Sequence, residues 1–447
     1  MSRQSKDTMT TEHADLYHRH QAVLPTWLSL YYDQPIEFVG GSGRHVTDAE
    51  GNTYLDFFGG ILTTSTGYNV PEVVDAIRTQ AGKMLHSSTL YLIRPMIELA
   101  EKIAALSTID GAKVFFVSSG TEAVETALLM ATTYRRSDQV LAVRNSYHGR
   151  TFGAVAVTGN RGWSPTSSSP LRVSFIASPD RLRSPFGSGT DEEFTNSCVA
   201  DLRELLATTT AGDVACLIAE PIQGVGGFVV PPDGFYGAIK AVLDEFGILF
   251  IADEVQTGWG RTGEHFWGFE SHQLTPDLFT FAKGLGNGLA IGGVVGRPEI
   301  IDCVNAGSIS TFGGNPISCA GALANLDLIL GRDLQHNALV MGGRLKAGLH
   351  AKLDDLAIVA ELRGKGLMIG IELVTPGTLV ANPAAAAQIL EAARVRGLLI
   401  GKGGLHGNVL RIAPALTVTA DEIDAAIEII ATAVRQVDAA ASDAVSG

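Results

Sequence analysis

Positive charge is in short supply: 33 Lys and Arg face 47 Asp and Glu, for a formal net charge of −14. That balance argues against nucleic acid and against anionic membranes, which select a basic face. It leaves small-molecule substrates open, because a basic pocket can sit inside an acidic protein. Long apolar runs are also missing, and none reaches the length of a membrane span. The opening "MSRQSKDTMTTEHADLYHRH" lacks the apolar centre of a signal peptide and reads as polar and frayed. The four cysteines (Cys198, Cys216, Cys303 and Cys319) lie far apart and form no CxxC pair. This fits a reducing cytoplasm and gives no metal site. Nucleotide signatures are absent too. "GLLIGKGG" (397–404) has the wrong spacing for a P-loop and no Ser or Thr after Lys402, and "GLGNG" is not G-x-G-x-x-G. Nucleotide hydrolysis and hydride transfer therefore find no support.

What is present is a large apolar interior. Hydrophobic residues make up 46% of the 447 residues and charged ones 18%, which fits a globular protein of two or three domains. Short apolar runs alternate with helical patterns through the middle. "KVFFV" (113–117), "QVLAV" (139–143), "RVSFI" (172–176), "VACLIA" (214–219), "ILFIA" (248–252) and "LFTFA" (278–282) read as strands. "TEAVETALLMATTYRR" follows the first of these as a helix. "GFYGAIKAVLDEFG" (234–247) predicts another, with Phe235, Ile239, Val242, Leu243 and Phe246 on one face and Gly247 at its C-terminal end. The alternation implies a mostly parallel sheet covered on both faces. "SPTSSSP" (164–170) and "SPFGSGTDEE" (184–193) read as surface loops. Beyond about residue 320 the pattern shifts to helices, two strands in "IVAELRGKGLMIGIELV" (358–374), "VLRIAP" (409–414) and a closing helix. The expected division is residues 1–60 packing with a small α+β domain, 61–325 as the large domain and 326–447 as the small domain. "DAEGN" reads as a hairpin-like turn.

Parallel α/β sheets place ligands at the carboxyl ends of their strands. Three predicted strands end there in an ionisable residue: "LIAE" in Glu220, "LFIAD" in Asp253 and "FTFAK" in Lys283. A fourth runs into "SSGTEA", a turn that opens a helix, where free N–H groups and the helix dipole favour an anion such as phosphate. Alone, a lysine after a strand is an ordinary solvated end, and Asp253 could be a structural acid. Together, a phosphate cradle, a buried acid and a lysine are what pyridoxal phosphate (PLP) requires. The lysine bonds the cofactor aldehyde as a Schiff base, and the acid keeps the pyridine nitrogen protonated.

The motifs "SSGTEAVETAL", "SYHGRT", "EPIQGVGG", "ADEVQTGWGRTG", "FAKGLGNG", "STFGGNP" and "RGKGLMIGIEL" together resemble the class III (ω-amino acid) aminotransferases, over about residues 25–435. The resemblance implies an α/β fold of the PLP-dependent transferase fold type I. That fold has a large domain with a mostly parallel seven-stranded sheet flanked by helices, and a smaller α+β domain built from both termini. It implies catalytic roles for Lys283 and Asp253, with Lys283 moving the proton at the substrate Cα. Gln256 would bond the ring hydroxyl, Val255 would press on one ring face and Tyr147 would stack on the other. His148 joins this cofactor-binding set, and Glu220 would orient neighbours of the ring. Ser119, Gly120 and Thr121 would bind the phosphate. Thr311 would reach the phosphate of a partner subunit, so a cytoplasmic homodimer with shared active sites is expected, with dimers able to pair into tetramers. The glycines after Lys283 would let the backbone turn tightly beside the cofactor.

For substrate, the resemblance assigns Arg411 to an α-carboxylate and Arg150 to a second carboxylate. Ornithine and GABA aminotransferases carry a glutamate after "EPIQG", which neutralises the arginine; here the position is Val225. This favours small α-amino and keto acids. The C-terminal half most resembles the alanine–glyoxylate aminotransferase 2 group, which implies an alanine or β-amino acid donor (such as 3-aminoisobutyrate) and a glyoxylate or pyruvate acceptor in a ping-pong cycle. The alternatives are transfer from a GABA- or acetylornithine-type ω-amino acid to 2-oxoglutarate, or an aminomutase or epimerase reaction on the same fold.

Overall fold

The computed structural model describes residues 11–446 in backbone and 15–440 in side chains, so the first ten residues of the opening stretch expected to be frayed lie outside the described residues. From Thr11 to Val23 the chain is a helix, so the polar start is ordered earlier than its composition suggests. Three antiparallel strands follow: β1 (Phe38–Ser42), β2 (His45–Asp48) and β3 (Thr53–Asp56). "DAEGN" turns between β2 and β3. Asp48 Oδ1 accepts from the Glu50 and Asn52 amides at 3.0 and 2.8 Å, a side-chain brace suited to a tight turn.

The large sheet contains β4 (Lys113–Val117), β5 (Gln139–Val143), β6 (Arg172–Ile176), β7 (Cys216–Ala219), β8 (Leu249–Asp253), β9 (Leu278–Phe281) and β10 (Gly292–Gly296). Their spatial order is β4-β10-β9-β8-β7-β5-β6, and every pairing is parallel except the two made by β10. Strands β5, β7, β8 and β9 are buried along their whole length, which is why they read as continuous apolar runs rather than alternating ones. The seventh strand, β10, was not located from sequence. "GGVVG" has almost no apolar pattern, and its glycines serve close packing instead: a Cβ on Gly292 would lie 2.7 Å from the Ser119 carbonyl oxygen.

Two expectations need correction. In the helix Phe235–Glu245, Phe235, Ile239, Val242 and Leu243 are buried, but Phe246 falls just past the last turn and is 49% exposed. Tyr236 fills the interior instead. Gly247 does take the left-handed conformation that ends the helix, with φ 63°. The 184–193 stretch is a loop only to Thr190. Asp191 opens a helix to Thr208, with Thr190 and Glu193 forming a capping box. The acids read as loop were the first turn of a helix, where negative charge meets the positive end of the dipole.

The C-terminal part forms an antiparallel sheet of β11 (Val359–Lys365), β12 (Met368–Leu373), β14 (Gly401–Gly403) and β15 (Val409–Ile412), ordered β11-β12-β15-β14. The short β13 (Leu398–Leu399) leaves this region to pair in parallel with β3. Helices Leu334–Leu353 and Pro383–Val395 cover the sheet, and the helix Ala420–Ser446 packs on both of them. Among the described residues no helix is long and apolar enough to cross a membrane.

Candidate active site

Strands β7, β8 and β9 are neighbours in the sheet, so Glu220, Asp253 and Lys283 emerge side by side at their carboxyl ends. Asp253 is 4% exposed and fully engaged: Oδ2 faces His148 Nδ1 at 2.7 Å, while Oδ1 accepts from the Thr280 hydroxyl at 3.0 Å and the Val255 amide at 3.2 Å. His148 is buried, and among the described residues its Nε2 has no hydrogen-bond partner. Glu220 is a brace. Its two oxygens accept from the Tyr147 and Gly224 amides, both at 2.9 Å. Burial pushes its carboxyl up to about 7, with the Asp253 charge adding and His148 opposing.

Lys283 keeps a partly open side chain, and it makes no hydrogen bond or salt bridge among the described residues. The protein around it still desolvates the amine. Burial first, then the Arg411 charge, lower it from 10.5 to about 8, against the pull of Asp253 and Glu220. The conformational strain sits on the lysine itself, at φ 41°. This refines the reading of "KGLGNG". Gly286 allows close approach, since a Cβ there would lie 2.2 Å from the Leu289 carbonyl oxygen, but Lys283 makes the left-handed turn. Buried Asn325 holds the turn by donating to the Gly284 and Leu285 carbonyls at 2.8 and 2.9 Å. Ser65 donates to the Gly284 carbonyl at 2.5 Å.

The turn 118–121 meets this group. A Cβ on Gly120 would lie 3.1 Å from Val255 Cγ1 and 3.6 Å from Ala282 Cβ, so the N-terminus of the helix Gly120–Arg135 abuts both the Asp253 loop and the residue before Lys283. Ser119 caps that helix. The Thr121 hydroxyl lies 2.8 Å from that of Thr151 and accepts from the Arg150 amide at 3.2 Å. Tyr147 stands edge-on to Trp163, centroids 5.3 Å apart. The Arg150 guanidinium lies 5.8 Å from the Trp27 ring and is exposed. Thr311 lies on an exposed stretch, and no hydrogen bond among the described residues joins it to the Lys283 group.

Arg411 arrives from β15 and is 3% exposed. Its guanidinium donates to Gln256 Oε1 at 2.8 Å and lies 4.6 Å from the Phe228 ring and 5.2 Å from the Phe58 ring. No carboxylate pairs with it among the described residues, and burial lowers it to about 10. Val225 is 8% exposed, and its carbonyl accepts from the Gly404 amide at 2.9 Å, beside the Arg411 stem. Sequence reasoning missed Thr280, Phe58, Phe228, Tyr31, Asn325 and Ser65. None carries a motif, and each reaches the site only through the fold.

The second acid of "ADE" behaves differently from the first. Glu254 is fully buried, yet it turns away and accepts from the Thr257 hydroxyl and the Gly268 and Phe269 amides, between 2.7 and 2.9 Å. It staples the 257–269 loop.

Comparison with known proteins matches this arrangement. A family model described as aminotransferase class-III covers residues 31–434. A mitochondrial alanine–glyoxylate aminotransferase 2 homolog from Arabidopsis thaliana is 39% identical over 92% of this chain and 85% of its own. An alanine/serine racemase from Pyrococcus horikoshii is 35% identical over 94% and 90%. Acetylornithine aminotransferases also match, one from Methanothermobacter thermautotrophicus at 35% identity over 90% of this chain and 95% of its own. Among solved structures, an (S)-enantioselective ω-transaminase from Thermomicrobium roseum superposes with a TM-score of 0.87 at 34% identity, over 96% of this chain and 100% of its own.

Proposed function

The chain belongs to the class III aminotransferases, which are PLP-dependent, and from that premise we propose that it moves an amino group from a small amino acid (alanine or a β-amino acid such as 3-aminoisobutyrate) to glyoxylate or pyruvate. The residues present fit the cofactor. Gly120 leaves a bare helix N-terminus beside Val255, and Asp253 is held by three polar contacts, from His148, Thr280 and the Val255 amide. When bound, the pyridoxal ring serves as an electron sink for bond breaking at the substrate Cα.

The protein's own groups do the rest. Asp253, fixed by His148 and Thr280, would face the ring nitrogen. Ser119, Gly120 and Thr121 would take the phosphate. Val255 and Tyr147 would bound the ring, and Gln256 would donate to its hydroxyl. Lys283 Nζ would hold the cofactor and carry the Cα proton. An amine lowered to about 8 has a useful neutral fraction near neutral pH, which a base needs. Glu220, by fixing the Tyr147 and Gly224 amides, would keep two walls of the site in place.

The observation that carries the substrate reading is the company Arg411 keeps: a neutral amide, two phenyl rings and Val225, with no acid paired to it among the described residues. A bidentate α-carboxylate is the partner that fits. Arg150, more exposed and stacked near Trp27, supports the ω-amino acid and 2-oxoglutarate alternative instead. The exposed Leu90, Tyr91, Leu92, Ile309 and Phe312 support the homodimer, in which Thr311 would serve the partner. Adding amino donors to the loaded enzyme without acceptor tests the assignment. Alanine or a β-amino acid should bleach absorbance near ~420 nm and raise it near ~330 nm, bands that belong to the cofactor, and glyoxylate or pyruvate should reverse the change. Conversion by GABA with reversal only by 2-oxoglutarate would favour the Arg150 reading. Inversion of alanine without any keto acid would align the enzyme with its racemase relative.

A further inference from the structure

The "GKGG" run that fails as a phosphate loop has another use. Its first three residues are β14, paired with β15 so that Gly401 opposes Arg411 and Gly403 opposes Val409. A Cβ on Gly401 would lie 2.2 Å from Phe58 Cε2, and a Cβ on Gly403 would lie 2.6 Å from Arg411 Cδ. Neither glycine has a positive φ, so backbone freedom is not the reason for it. Each clears the volume that a side chain of the carboxylate pocket occupies.

The two side chains are held from other directions as well. Phe58 precedes four consecutive left-handed residues, Gly59, Gly60, Ile61 and Leu62, at φ 53°, 59°, 64° and 61°. Asp56 Oδ1 anchors that turn by accepting from the Phe58 and Gly59 amides at 2.8 and 3.0 Å. Two non-glycine residues in this region are costly and persist only when the surroundings impose them. Phe228, also left-handed at φ 52°, presents the second ring to Arg411. Tyr31 stacks on Phe58 with centroids 5.7 Å apart, and its hydroxyl donates to the Lys402 carbonyl at 2.9 Å and accepts from the Lys402 amide at 2.8 Å. The N-terminal segment, the Phe58 turn, the Phe228 loop and β14 thus converge on one guanidinium, and Gln256 bonds it from a fifth direction. A buried cation held this firmly, with no carboxylate paired to it among the described residues, lacks its counter-charge.

We propose that Gly401 and Gly403 are specificity-determining positions: by leaving room for Phe58 and the Arg411 stem, they fix the guanidinium in one seat and commit the site to substrates bearing a carboxylate, against amines that lack one. This rests on the reading of Arg411 as the carboxylate anchor. Both glycines act through Arg411 and are positioning residues.

Binding can be measured without the cofactor, using calorimetry of the full cofactor-free chain with propionate, a carboxylate with neither amino nor keto group. Arg411→Gln should abolish propionate binding. Gly403→Ala should weaken it by about tenfold or more, the scale of a displaced charge-assisted pair, and Gly401→Ala should do so by a smaller factor through Phe58. Shrinking the ring in the double variant Gly401→Ala/Phe58→Leu should recover part of that loss. In the loaded enzyme, Gly403→Ala should raise the KM for alanine by about tenfold while kcat changes by less than roughly threefold, and the preference for alanine over isopropylamine should fall correspondingly. If Arg411→Gln loses propionate while both glycine variants bind it as wild type does, the seat is overturned and the Arg411 reading stands. If Arg411→Gln binds propionate unchanged, the anchor itself is wrong and the proposal falls with it.

Discussion

The two walls of the site are built on opposite principles. On the sheet wall, Asp253 and Glu220 are saturated by donors from His148, Thr280 and backbone amides, so charge is met by hydrogen bonds. On the wall from the small sheet, the Arg411 charge is met by rings, glycines and a single neutral amide. The first wall holds its acids fixed and suits a resident group that stays. The second is incomplete and suits a group that comes and goes, because only a vacant charge rewards an arriving carboxylate.

Breaking the sheet wall should be the more severe. Lys283→Ala removes the amine that, on the proposed reading, would both hold the cofactor and carry the proton. Turnover should fall by at least about a thousandfold, the combined scale of a lost acid–base group, with the circular dichroism spectrum and oligomeric state retained; turnover near wild type would refute the mechanism. Asp253→Asn comes next. It keeps the shape but gives up the negative charge facing His148, and kcat should fall by roughly a hundredfold or more with weakened cofactor retention. A change confined to KM would instead assign Asp253 to the substrate side.

The smallest effect sharpens the comparison by asking whether burial lowers the lysine amine below its ordinary value. Lys283 titrates near 8 in the folded chain against an ordinary 10.5, so between those values the unfolded chain binds the extra proton. Stability of the cofactor-free protein should therefore carry a cost below about pH 8 that disappears as pH rises toward 10.5. Lys283→Met removes the cost. Its Tm at pH 7 should exceed wild type by roughly a few degrees, and the gap should close as pH is raised toward 10. A gap that does not vary with pH would mean the amine is not depressed.

Much of the sheet wall was legible. Continuous apolar runs ending in Glu, Asp or Lys mark buried parallel strands and the positions just beyond them, and the turn "SSGTEA" announces a helix N-terminus. The misreadings have local causes. Phe246 continues the helical period past the point where the helix ends. The acids at 191–193 resemble a loop until Thr190 is seen to cap them. Strand β10 hides because its glycines serve neighbours rather than a pattern.

Sequence by itself determined which chemistry is available. Residue type and period along a few neighbouring positions set strands, turns and the side chains at their ends, and the ordered motifs named the family. Only the tertiary structure decided what each group meets. His148 reaches Asp253 across 105 residues and Gln256 reaches Arg411 across 155, separations at which no local rule operates. The same holds for emptiness. A glycine at 401 or 403 looks like a loop residue in the string, and becomes the space for Phe58 and Arg411 only when strands from distant parts of the chain are brought within van der Waals contact.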